Sequence, residues 1–136
     1  DAVLQLLHEG LCSLHCPQVR LQFQGLALFG GSHPSTLVSL AERVPELMHL
    51  QQKVAQLVRQ AEIALPRRRF KPHVTLIRFA RGLPPEAQQR LQQFLALRGN
   101  SPLPLFEAAQ ITLYQSTLLA DGPRYEALST YPLDPV

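Results

Sequence analysis

The chain has 136 residues, of which 46% are hydrophobic and 17% charged, with 12 Pro, 7 Gly and 2 Cys. That length suits one domain, residues 1–136, burying roughly 70% of the surface its unfolded chain exposes. The composition excludes wholesale disorder and a disulfide-built scaffold, and no apolar run approaches the roughly 20 residues of a membrane-spanning helix. No basic segment followed by a short apolar one opens the chain, so a soluble, cytoplasmic domain without a signal peptide is expected.

Leu4, Leu7, Leu11 and Leu14 recur at three- and four-residue spacing, one face of an amphipathic helix that Cys16-Pro17 stops. Because the chain enters this helix at Asp1 without an initiating Met, further residues are expected upstream. Val19, Leu21 and Phe23 alternate with polar residues and predict a half-buried strand broken at Gly25. Leu26–Phe29 predicts a second strand, Gly30 to Ser35 a turn, and Thr36–Ala41 a third strand.

Pro45 suits the first turn of a helix whose stripe is Leu47, Leu50, Val54, Leu57, Val58 and Ala61. His73–Phe79 is rich in β-branched and aromatic residues and predicts a strand. Pro84 and Pro85 introduce a third helix, striped by Ala87, Leu91, Phe94, Leu95 and Leu97 and closed at Gly99-Asn100. Phe106–Leu119 predicts one long strand, with Asp121-Gly122 turning it into Arg124–Leu133. Strand groups separated by helices predict an α+β or mixed α/β sandwich.

The net charge of +3 is local. Arg67, Arg68, Arg69, Lys71, Arg78 and Arg81 crowd into residues 66–81 without a carboxylate, and the remainder of the chain is net −3. Such a cluster is either a solvated basic loop or a seat for an anion, phosphate above all. Within it lies Phe70-Lys71-Pro72-His73-Val74-Thr75-Leu76. On a strand His73 and Thr75 share a face, pairing an imidazole that exchanges protons near neutral pH with a hydroxyl that donates to a phosphate oxygen. Alone, a His-x-Thr tripeptide fits a satisfied strand histidine better than a catalytic one.

The surroundings make it more specific. Phe70 to Leu76 with Arg78, Phe29-Gly30-Gly31 after a short strand, and Ile111 to Ser116 followed by Gly122, Tyr125 and Leu128 come in an order that resembles the two-histidine phosphoesterase superfamily. Within that superfamily the likeness is to the LigT-like RNA 2',3'-cyclic phosphodiesterases and 2'-5' RNA ligases, and it spans nearly the whole chain. It implies an α+β fold of two pseudo-symmetric lobes, with antiparallel sheets, helices on the outer faces and a central cleft. The expected activity is hydrolysis of 2',3'-cyclic phosphate ends of RNA or nucleotides, with reversible 2'-5' ligation as a family option. No metal or other cofactor is implied, and the expected state is a monomer away from membranes.

The resemblance makes His73 and Thr75 the catalytic pair and Arg78, Phe70 and Arg69 substrate contacts. Strict alternation would turn Arg78 to the face opposite His73, where it would pair with a carboxylate instead. Phe70 would either stack on a base or pack beneath the sheet. The family carries two His-x-[Ser/Thr] motifs, whereas one convincing copy stands here; His33-Pro34-Ser35 reads as a turn, and the first motif is expected before Asp1. Two other readings stay open, a 2'-5' phosphodiesterase and a nucleotide- or RNA-binding module without catalysis, the latter being how a chain with this one motif alone would behave. His8, Cys12, His15 and Cys16 have some helical spacing of a metal site, but His15 falls on another face from Cys12 and no second ligand pair follows.

Overall fold

A computed structural model describes residues 1–79, 82–101 and 103–135; Arg81, counted in the cationic cluster, lies outside the described residues. In chain order the elements are α1 (Ala2–Cys12), β1 (Val19–Leu21), β2 (Phe23–Phe29), β3 (Thr36–Ala41), α2 (Pro45–Gln60), β4 (His73–Arg78), α3 (Pro85–Arg98), β5 (Phe106–Ala108), β6 (Gln110–Leu119) and β7 (Gly122–Pro132). The fold is α+β, as the sequence predicts, and every strand pair is antiparallel.

The leucine spacing of α1 works from the second turn onward. Asp1 caps the helix, its carboxylate accepting from the amides of Val3 and Leu4 at 2.8 and 3.2 Å. Leu7 and Leu11 are buried with Ala61 and Tyr131, while Leu4 stays exposed and Leu14 follows the helix end. Helix α2 begins at Pro45 and threads two clusters together. Its Leu57 and Val58 pack on the Leu7–Leu11 group, and its Leu50 joins Cys16, Val19 and Leu133. Each fully buried leucine contributes about 1.5–3 kcal/mol, so α2 holds the α1 end of the chain against the C-terminal hairpin.

Three departures from the sequence expectation have local causes. The predicted strand Phe106–Leu119 is two strands, β5 pairing β1 and β6 pairing β7; between them the Ala109 carbonyl accepts from the Leu133 amide at 2.8 Å. The predicted strand from Val19 divides at Gln22 instead of Gly25, and β2 runs through Gly25 with a register shift between Phe23 and Leu26 that marks a bulge. Gly25 sits at φ 78°, its added Cβ would lie 3.1 Å from the Gly99 carbonyl oxygen, and the Leu26 amide donates to that same oxygen at 2.6 Å. Both the dihedral and the close backbone approach require glycine. Finally, the α3 stripe is not a core face. None of its residues is buried, Leu97 is 83% exposed, and Phe94 lines a groove with Gly25 and Leu26 instead.

What positions the site is the sheet β2-β3-β4. Its middle strand supplies Leu37, Val38 and Ser39, all buried, so β4 is held by a rigid neighbour. Gly30 allows the tight β2–β3 turn at φ 118°, where a Cβ would meet the His33 oxygen and the Ser35 amide at 2.7 Å. His33 is an exposed residue of that turn, in keeping with its turn reading.

Candidate active site

In an antiparallel ladder, residues directly opposite one another share a face of the sheet. His73 pairs with Leu40, Thr75 with Val38 and Arg78 with Thr36. Leu40, Val38 and Thr36 alternate regularly along β3, so His73, Thr75 and Arg78 all share their face. The ladder slips one residue between Leu37↔Ile77 and Val38↔Thr75, leaving Leu76 as an unpaired bulge residue. That extra residue rotates the end of β4 by half a pleat and brings Arg78 round to the imidazole side. Strict alternation, which sends Arg78 to the far face, is thereby corrected.

His73 is exposed and Thr75 half-buried. The His73 Nδ1–H donates to the Lys71 carbonyl at 2.5 Å; a carbonyl only accepts, so the proton is fixed on Nδ1. Nε2 is then left as the nitrogen able to accept a proton or, in the imidazolium, to give one. Phe29 lies on the same face through its pairing with Thr36, and its ring meets the His73 ring edge-on with centroids 4.8 Å apart. Lys71 places its ammonium 5.7 Å from the Phe29 centroid, so one aromatic ring carries both the imidazole and a cation.

The β6–β7 hairpin reaches the site at Arg78. Arg78 Nη2 donates to the Tyr125 hydroxyl at 3.4 Å, and Tyr125 stacks edge-on with Tyr114 at 6.1 Å. Gly122 sits beside Arg78, where a Cβ would stand 3.5 Å from the Arg78 Cδ. The remaining guanidinium donors of Arg78, the Thr75 hydroxyl and Nε2 of His73 therefore belong to one surface, suited to a phosphate group with a proton transfer beside it.

The other two predicted contacts line grooves against α2. Phe70 packs over α2, lining grooves with Leu47, Leu50 and Val54 on one side and Arg43, Arg59 and Arg69 on the other. Arg69 sits in the second of these grooves. Lys71, Phe29 and Tyr125 were not singled out from the sequence as site residues, although each lies within a motif that carried the resemblance. Pairing across strands is what gathers them, and no spacing in one dimension announces it.

Of the spaced His and Cys residues, His8 and Cys12 stay together on α1, while His15 and Cys16 lie beyond its end. Cys12 Sγ lies 3.6 Å from His8 Nε2, His8 Nδ1 meets the Tyr131 hydroxyl at 2.7 Å, and exposed His15 instead approaches Asp134 at 3.6 Å. Cys16 is buried, and burial pushes its thiol pKa up, with Lys53 opposing and Asp134 adding to the effect. Among the described residues no group of three His, Cys, Asp or Glu side chains converges as a metal site would require. No helix among them is long and apolar enough to cross a membrane.

The architecture is that of solved phosphoesterases. It matches E. coli LigT complexed with 3'-AMP with a TM-score of 0.68 at 18% identity, over 96% of this chain and 68% of LigT. A second phosphoesterase matches with a TM-score of 0.69 at 18% identity, and TT0787 of Thermus thermophilus with 0.59 at 24%; each covers 96% of this chain and 68% of the other. At these identities the likeness defines the fold. The family follows from the sequence: residues 1–117 match the 2'-5' RNA ligase superfamily, and the chain belongs to that superfamily. No curated protein matches it at a significant level.

Proposed function

We propose that this protein is a phosphodiesterase that opens 2',3'-cyclic phosphate ends of RNA or nucleotides without a metal, with reversible 2'-5' ligation as the reverse chemistry. One observation carries the reading: the bulge at Leu76 sets His73, Thr75 and Arg78 on a single face, with the His73 proton fixed on Nδ1. Solved LigT complexes with 3'-AMP, ATP and NADP+ support a nucleotide as the ligand class.

In hydrolysis a water oxygen bonds to phosphorus, the bond from phosphorus to one ribose oxygen breaks, the water proton goes to a base, and the leaving ribose oxygen takes a proton from an acid. His73 Nε2 serves one of these two transfers, and the second histidine that the family resemblance implies serves the other. Thr75 donates to a nonbridging oxygen, and Arg78 offsets charge as it develops there. Phe29, locked against the imidazole, keeps the ring at its working angle.

The test is incubation of the protein carrying both histidine motifs with a 2',3'-cyclic nucleotide in EDTA. Turnover is expected, and His73→Ala lowers it about 10²–10⁴-fold, the usual worth of one positioned acid or base, with circular dichroism unchanged. Full turnover by a folded His73→Ala variant refutes the assignment. Because one His-x-Thr pair stands on this face, a second reading is a nucleotide-binding module without catalysis; binding by the wild-type protein with no turnover selects it.

A further inference from the structure

Away from the His73 face, helix α2 and the segment 68–70 enclose a groove of about 410 Å³. Gln52, Gln56 and Arg59 recur at four- and three-residue spacing along one side of α2, and Arg68, Arg69 and Phe70 form the opposite wall. Arg43 lines it as well and donates to the Phe70 carbonyl, which pins the arginine-rich wall to the end of β3. Four arginines thus line one concavity with glutamines, and no Asp or Glu lines it. Neither ion pair among the described residues, His15–Asp134 or Arg20–Glu107, involves any of the four.

Uncompensated arginines facing one another across a cleft repel, and the arrangement is relieved when an anion neutralises them. Guanidinium forks match phosphate oxygens two at a time, and glutamine amides reach base edges or ribose hydroxyls. Phe70, half-buried at the end of the wall, offers a ring for stacking. A concave surface pairing arginines with amides and an aromatic ring suits a nucleic-acid strand better than a flat anionic bilayer, which offers no base edges or stacking faces. Arg69 is four residues from His73 in the chain, so their Cα atoms are at most about 14 Å apart.

We infer that the α2–Arg68/Arg69 groove binds the phosphate backbone of a single-stranded RNA. The choice of RNA rests on the proposed function, but the groove is tested without turnover. A fluorescein-labelled decauridylate with a plain 3'-hydroxyl is titrated against the wild-type protein and against Arg59→Gln/Arg68→Gln from 0.05 to 0.4 M salt. Each lost phosphate contact removes about 0.7 from the slope of log affinity against log salt on a single strand, so the double variant loses about 1.4. With affinities equal at 1 M salt, that is about a 25-fold weakening at 0.1 M. Arg90→Gln/Arg98→Gln, which removes the same charge from α3, leaves the binding within about twofold.

Equal affinity and slope for wild type and the α2-groove variant overturn the inference, as does equal weakening by the α3 control, which would mean net charge alone. Binding to phosphatidylserine vesicles, lost in the α2-groove variant while decauridylate does not bind, also overturns it in favour of a membrane surface. Because the probe has no cyclic end, failed turnover leaves this result standing, and failed binding leaves the His73 chemistry standing.

Discussion

Deleting one residue of β4 separates the role of the bulge from that of the strand. Leu76 is the unpaired residue of the ladder and is 53% exposed. Its removal forfeits roughly half the 1.5–3 kcal/mol of a fully buried leucine, about 1 kcal/mol. It also makes Val38↔Thr75 and Leu37↔Ile77 consecutive rungs, restoring regular pairing worth about 1 kcal/mol per hydrogen bond. The two effects nearly cancel, so the melting temperature is expected to move by less than about 5 °C. His73, Thr75 and Arg78 stay on one face, and turnover of a 2',3'-cyclic nucleotide stays within tenfold of wild type. Deleting Val74, two positions away, makes His73 and Thr75 neighbours, and adjacent strand residues point to opposite faces. Turnover then falls about 10²–10⁴-fold, as for losing the imidazole. Thermal melts by circular dichroism, run beside the turnover assay, separate unfolding from misorientation. A hundredfold loss in the Leu76 deletion at an unchanged melting temperature, or wild-type turnover in the Val74 deletion, refutes the face assignment.

Two further outcomes concern buried groups. Ser39 is 3% exposed and its Oγ has no hydrogen-bond partner among the described residues. Ser39→Ala should therefore stabilise the fold by about 1 kcal/mol, read as a higher urea midpoint, and a lower midpoint would show that the hydroxyl is satisfied. Cys16 has its pKa raised mainly by burial, so its contribution to stability is complete below the ordinary thiol value of about 8.5 and is lost as pH climbs from there through the raised folded value. Urea unfolding at pH 7 and pH 9.5 should show that loss, and Cys16→Ala should abolish it. In native protein at pH 7.5, a thiol reagent should label exposed Cys12 quickly and Cys16 only as fast as the chain opens; equal labelling of both contradicts the burial.

Much of this molecule is legible in one dimension because its cause is one-dimensional. The leucine spacing of α1, Pro45 at the start of α2 and the β-branched run after Pro72 fix their elements through periodicity and backbone restriction alone. The same holds for the centre of the site: two residues apart on any strand, His73 and Thr75 must face the same way. Tertiary structure decided the rest. Arg78 changes face because a neighbouring strand leaves Leu76 unpaired. Phe106–Leu119 divides because its halves find different partners. Gly25 stays within β2 because the backbone at Gly99 approaches it, and Phe70 turns to α2 because apolar area waits there. Register, bulges and close backbone contacts depend on which segments meet in space, and a sequence pattern records only the local preference of each segment before they do.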